Sequence, residues 1–118
     1  MKTILVVDDE TDLLESTVDI IKSIDFDVIT ATNGEEAITK FREKMPDLVL
    51  MDIKMPKKDG FDAFFKIKEL NPNAKIILIT GKLVDEEKLK KAKAITLILV
   101  VQKPYSPEFL KELVIRYS

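Results

Sequence analysis

Apolar residues along this chain follow two alternating rhythms. Five short runs have the length of strands: "TILVV" (3–7), "DVITA" (27–31), "DLVLM" (47–51), "KIILIT" (75–80) and "LILVV" (97–101). Four of them are continuous rather than alternating and rich in Ile, Val and Leu, which suits strands covered on both faces, as in a parallel sheet. Between the runs the spacing becomes helical. Leu13, Leu14, Thr17, Val18, Ile21 and Ile24 line one side of a first helix, with Glu15, Asp19 and Lys22 opposite. Asn33-Gly34 opens a second, with Ala37, Ile38 and Phe41 on one face; Phe61, Phe64, Ile67 and Leu70 make a third, closed by Asn71-Pro72. "DEEKLKKAKAI" (85–95) is acidic first and basic afterwards, as a helix dipole favours. "SPEFLKELVIRYS" (106–118) has Ser106 as N-cap and Pro107 at the first helical position. The order βαβαβαβαβα predicts an α/β fold: a doubly wound, five-stranded parallel sheet with five helices and right-handed crossovers.

Composition narrows the chemistry. The length of 118 residues suits one domain spanning 1–118, with a single sizeable core. With 46% hydrophobic and 34% charged residues it reads as a globular chain, not a disordered one. A net charge of −2, with both signs interspersed, gives no basis for direct nucleic-acid binding. No apolar run approaches the roughly 20 residues of a membrane span. The start, "MKTILVVDDE", turns acidic too early for a secretory signal, so a cytoplasmic location is expected. There is no Cys and no His, which removes thiolate chemistry, His-based catalysis and His or Cys metal ligation. Carboxylates, amines and hydroxyls remain, and any metal must be a hard, oxygen-seeking one.

The ends of the apolar runs are where such groups collect. The first run ends in Asp8-Asp9, the third in Asp52, the fourth in Thr80-Gly81, and the fifth, after Gln102, in Lys103-Pro104. In a parallel sheet all strand C-termini share one edge, and open α/β sheets bind ligands there, where the strand order switches. The apolar pattern by itself leaves the strand order open. The order 2-1-3-4-5, common among doubly wound sheets, sets Asp8 and Asp9 beside Asp52, with Thr80 and Lys103 approaching from the last two strands. Taken singly, each has a plain alternative: Asp8-Asp9 as a helix start, Asp52 as a turn residue, Thr80 as structural, Lys103 as a solvated lysine. Jointly they are three mutually repelling carboxylates, a hydroxyl and an ammonium on one edge. Such a cluster favours a bound cation, and an all-oxygen set suits Mg²⁺.

This combination resembles the receiver domain of two-component response regulators, along essentially the whole chain. The motifs are the Asp-Asp pair after the first strand, "DIKMPKKDG" from Asp52, Thr80 after the fourth strand and Lys103-Pro104 after the fifth. The resemblance implies a flavodoxin-like fold and a signalling switch controlled by phosphorylation. Asp52 would be the phosphoacceptor; Asp8, Asp9 and Asp52, with the backbone carbonyl of Lys54, would hold Mg²⁺; Thr80 and Lys103 would contact the phosphoryl group. It further implies a histidine kinase or phosphotransfer protein as donor, and a downstream target protein or output domain. No activity on a separate substrate is expected, only catalysis of the chain's own phosphorylation and dephosphorylation. Without a His, the chain cannot be its own phosphohistidine donor. Gly81 would leave room for the phosphate's approach, and Met55-Pro56 would stiffen the turn before Asp59-Gly60 leads into the third helix.

Three departures stand out. Val100 occupies the position, three before the lysine, where these proteins usually carry an aromatic switch. "ITLIL" replaces a short Ala- or Gly-Ala-containing segment, and lysines stand two beyond Asp52 and two beyond Thr80, at Lys54 and Lys82. A short β-branched Val100 cannot sweep a ring between inward and outward positions. The response is therefore expected around Gly81–Val84 and the start of the fourth helix. The apolar "ITLILVV" segment makes the face of helix 4, strand 5 and helix 5 a candidate surface for homodimer formation. Three other readings compete. One is a receiver-fold interaction module indifferent to phosphate, for which Val100 speaks. The second is a Mg²⁺-dependent aspartyl phosphohydrolase, which would need an Asp where Lys54 stands. The third is a flavodoxin-like cofactor protein, whose phosphate Asp8-Asp9-Glu10 would repel.

Overall fold

A computed structural model describes residues 1–54, 59–81, 86–95 and 99–118. The elements run β1 (Thr3–Val7), α1 (Thr11–Lys22), β2 (Asp27–Ala31), α2 (Gly34–Lys44), β3 (Leu48–Asp52), α3 (Gly60–Leu70), β4 (Ile76–Thr80), α4 (Glu86–Ile95), β5 (Leu99–Gln102) and α5 (Pro107–Tyr117). The strands form one parallel sheet in the order β2-β1-β3-β4-β5, as expected. Met55-Pro56, Lys82 to Asp85, and Thr96 with Leu97 lie outside the described residues, as does most of the Gly81–Val84 segment.

The continuous apolar runs are explained by two cores, one on each face. Leu5, Val7, Val49, Met51, Ile76 and Leu78 point to the helices α2, α3 and α4, against Phe41, Phe61, Phe64 and Ala92. Their chain neighbours Ile4, Val6, Leu48, Leu50, Ile77 and Ile79 point the other way, with Leu14, Ile21, Leu110 and Val114. Alternation by strand pleat thus delivers apolar side chains to both faces. β2, at an edge, is only partly buried, which is why "DVITA" is the least hydrophobic run.

Helix ends follow local chemistry. Asn33 accepts a hydrogen bond from the Glu36 amide at 2.9 Å, and Ser106 one from the Phe109 amide at 3.0 Å, with Pro107 following as predicted. Asp59 caps α3, accepting from the Asp62 amide at 2.9 Å. The expected α1 face needs correction. Leu14 and Ile21 are buried, but Leu13 is exposed and Thr17 only half-buried, because the buried stripe is narrower than the run of apolar residues. Ile24 lies beyond the helix, in a turn where Asp25 takes φ 65°; it still packs against the α1–α5 core. Leu70, at the last position of α3, is exposed too. The third run is displaced by one residue, so that Asp52 is itself the last residue of its strand.

Candidate functional site

Backbone hydrogen bonds continue the sheet past the ends of its strands. The Asp8 amide donates to the Ala31 carbonyl at 3.1 Å, Ile53 to Ile79 at 2.9 Å, and Lys103 to Thr80 at 2.8 Å. These contacts extend the ladders one step past the strands, so the side chains that follow are set by the sheet rather than by free loops. Asp8 does not start a helix: the residue flanking α1 is Glu10, and Asp8 Oδ1 instead accepts from the Glu10 amide at 3.0 Å.

At this edge Asp8, Asp9 and Asp52 each present a carboxylate oxygen within 4.8 Å of the others. Asp8 and Asp52 are buried and Asp9 is exposed. The Lys103 ammonium sits 2.9 Å from Asp52 Oδ2 and 3.5 Å from Asp8 Oδ2. Asp52 Oδ1 accepts from the Lys54 amide at 3.1 Å, so both oxygens of this carboxylate are engaged and its rotamer is fixed. Thr80 is buried at the same edge, one residue beyond the register pair Asp52 and Ile79.

The charges are tuned by burial and by one another. Burial pushes the Asp8 carboxyl above its usual range and the Asp52 charge adds to this, while the Glu10 amide and Lys103 oppose it. Burial alone would depress Lys103, but its hydrogen bond to Asp52 and the attraction of Asp52 and Asp8 prevail and hold its ammonium above the ordinary lysine value. Among the described residues, three carboxylates against one ammonium leave an excess of negative charge. The donors are all oxygen, with no nitrogen or sulfur ligand available, so the residues present fit a small hard cation such as Mg²⁺.

The structure therefore brings together Asp8, Asp9, Asp52, Thr80 and Lys103 at one edge. Lys54 contributes its amide, and its side chain is exposed. Val100 pairs with Leu78 on β4 and packs half-buried against the core under α2–α4. Tyr105, the nearest aromatic after the lysine, packs instead against the opposite core, its ring 6.3 Å from that of Phe109. Burial raises the Tyr105 phenol, against the pull of Lys103 and a hydrogen bond with Thr17.

Two contacts were not visible in the sequence. Gly60 lies directly against the backbone of Asp52 and Ile53. Lys88 of α4 reaches Asp59 Oδ2 at 3.3 Å. The cap role of Asp59 could have been read from an Asp just before a helical pattern; the approach of α3 to β3, and of α4 to α3, had no local signal.

Comparison with known proteins agrees with this geometry. Residues 4–115 match the response regulator receiver domain. The chain is 43% identical to the chemotaxis protein CheY of Thermotoga maritima over 81 residues, 68% of either chain. A CheY-like receiver domain protein from Methanospirillum hungatei superposes with a TM-score of 0.89 at 31% identity, covering 98% of this chain and 92% of that one. The response regulator TrrA of Thermotoga maritima, solved in complex with Mg²⁺-BeF, gives a TM-score of 0.85 at 34% identity over 100% of both chains.

Proposed function

This chain belongs to the response regulator receiver domain family, and we propose that it is a phosphorylation-controlled signalling switch that takes a phosphoryl group onto Asp52. The observation that carries this reading is the Asp52 carboxylate itself: buried at a strand end, held by Lys103 and the Lys54 amide, and bordered by Asp8 and Asp9. A carboxylate oxygen of Asp52 attacks phosphorus as the bond to the donor's imidazole nitrogen, or to the acetate oxygen of acetyl phosphate, breaks; the leaving group departs with that electron pair, and an acyl phosphate forms. Lys103 stays beside the site and meets the new phosphoryl charge. Thr80 supplies a hydroxyl donor from β4. A Mg²⁺ ion held by Asp8, Asp9, Asp52 and the Lys54 carbonyl would supply further charge neutralisation at the transferred oxygens.

In this reading the protein acts on no separate substrate and catalyses only its own phosphorylation and the hydrolysis that reverses it. The donor is a histidine kinase or phosphotransfer protein, the recipient of the signal a target protein or output domain, and the setting is the cytoplasm. Among the described residues, no helix is long and apolar enough to cross a membrane. Val100 favours a second reading, a contact module whose output ignores phosphate. One experiment separates the two. Incubated with acetyl phosphate and Mg²⁺, the intact protein should gain the mass of one phosphoryl group, and Asp52→Asn should gain none. An unmodified wild-type mass leaves the second reading.

A further inference from the structure

The segment that carries Asp52 is clamped from two sides. On one, the Ile53 amide donates to Ile79 of β4 at 2.9 Å. On the other, the first residue of α3, Gly60, donates its amide to the Ile53 carbonyl at 2.7 Å. The approach of α3 is so close that a Cβ on Gly60 would lie 2.4 Å from the Asp52 carbonyl oxygen and 2.6 Å from the Ile53 Cα. These neighbours are backbone atoms, which cannot swing aside as a flexible side chain could. Gly60 does not have a positive φ, so its conformation is open to any L residue. Space alone forbids a side chain. Gly81 differs: among the described residues, a Cβ there meets nothing within 4 Å.

We propose that Gly60 is a positioning residue for phosphoryl transfer: its missing side chain lets the first turn of α3 rest on the Asp52–Ile53 backbone and so fixes the aim of the Asp52 carboxylate. The proposal rests on reading Asp52 as the phosphoacceptor. Asp59 keeps the turn in place. Its Oδ1 caps α3, and its Oδ2 lies 3.3 Å from the Lys88 ammonium of α4. The segment from Asp52 to Lys54 holds the attacking carboxylate, the amide that orients it and the Lys54 carbonyl proposed as a ligand. A side chain at position 60 forces the first turn of α3 and this segment apart, and a displacement of about 1 Å in such a site costs on the order of 10²-fold in rate. The clamp explains why a helix on one side of the sheet can hold a carboxylate at its edge without touching the side chain.

The test is Gly60→Ala, read by three measurements: the thermal midpoint, the Mg²⁺ dissociation constant by calorimetry, and the rate constant for acetyl phosphate at saturating Mg²⁺, corrected to the folded fraction. The expected result is Mg²⁺ binding weakened by about tenfold and phosphorylation slowed by on the order of 10²-fold in folded protein. A lower midpoint with unchanged Mg²⁺ affinity and rate constant would mean a packing role only and overturns the proposal. Should Gly60→Ala not fold, Asp59→Ala removes the cap while leaving Gly60 in place. It is expected to lower the rate constant by roughly threefold, the scale of one lost cap, and an unchanged rate overturns the proposal equally. Wild-type protein that gains no phosphoryl mass overturns the phosphoacceptor reading and this inference with it. Wild type that labels while folded Gly60→Ala labels equally fast overturns the inference alone.

Discussion

Lys68 and Lys103 are both drawn into the body of this protein, near opposite ends of the strands, and the hydrogen bonds described for them differ in kind. Lys103, just past the C-terminal end of β5, meets carboxylates: Asp52 at 2.9 Å and Asp8 at 3.5 Å. Lys68, near the end of α3, is buried and donates to the carbonyls of Pro72, at 3.3 Å, and Ala74, in the turn that leads into β4. Burial works against the charge of both. For Lys103 full negative charges overcome it, and the ammonium is held above its ordinary value. For Lys68 desolvation prevails, and the ammonium is pushed below it. A carbonyl dipole accepts a hydrogen bond from a buried ammonium but offsets its charge less than a carboxylate does. The first arrangement concentrates opposite charges at the site proposed to receive a phosphoryl group; the second ties down a turn.

The sharpest way to break this comparison is to remove Lys103. Lys103→Met leaves two buried carboxylates facing each other without their cation. Stability should fall by about 2–3 kcal/mol, under the roughly 3–5 kcal/mol of a fully buried pair because Lys103 is only half-buried. Phosphorylation of Asp52 should slow by on the order of 10²-fold, the usual cost of one electrostatic partner in an acyl or phosphoryl transfer site. Acetyl phosphate kinetics by intact mass and calorimetric unfolding check the two effects separately. Wild-type kinetics in the variant would mean that Lys103 is a structural counter-ion only.

A second cation should mend what Lys103 leaves unbalanced. Among the described residues three carboxylates stand against one ammonium, and burial, with the Asp52 charge adding to it, holds the Asp8 carboxyl above its usual range. Mg²⁺ that binds the folded state should raise stability by roughly 2–3 kcal/mol at a hundredfold excess over its dissociation constant. Asp9→Asn should stabilise the metal-free protein by removing one repelling charge, and should weaken Mg²⁺ binding. The sequence has no Trp, so calorimetry is the better probe. A melting temperature indifferent to millimolar Mg²⁺ would remove the site.

The contrast also shows what the sequence could and could not disclose. Strand order aside, the sheet was legible because a strand covered on both faces must be apolar at every buried position, as "ILVV" (4–7) and "LVLM" (48–51) are. The cluster was legible because parallel strands end on one side, so residues far apart in sequence, such as Asp8, Asp52 and Lys103, can be brought together by topology alone. What stayed hidden depends on how helices sit on the sheet. Leu13 and Leu14 are identical in type, and only the angle of α1 buries the second and exposes the first. Lys68 lies on a helix among other lysines and is buried by the turn after it, not by its own pattern. Gly60 looked like a turn residue; its contact with Asp52 appears only once α3 is docked.

The smallest expected effect concerns Lys68 and gives the comparison its sign. Lys68→Met keeps the length of the side chain but takes the donor away from the Pro72 and Ala74 carbonyls. At neutral pH the lost hydrogen bonds should cost about 1–2 kcal/mol, partly offset because no ammonium need be desolvated, and phosphorylation should be unaffected because the turn lies at the far end of β4. The pH dependence separates the two lysines further. The folded-state value of Lys68 is depressed below 10.5, so between that value and 10.5 the unfolded chain holds more protons than the folded one. Stability carried through Lys68 therefore rises with pH in that window. Lys103 has the opposite shift: its contribution is fully present below 10.5 and is lost as pH rises through its raised folded value. Denaturant unfolding of wild type and Lys68→Met from neutral pH up to 10.5 should thus show the gap between them widening, while the gap to Lys103→Met holds below 10.5 and closes only above it. If the Lys68→Met gap stays constant or narrows, the ammonium of Lys68 is not held at a cost, and the two lysines do not differ in the way their partners imply.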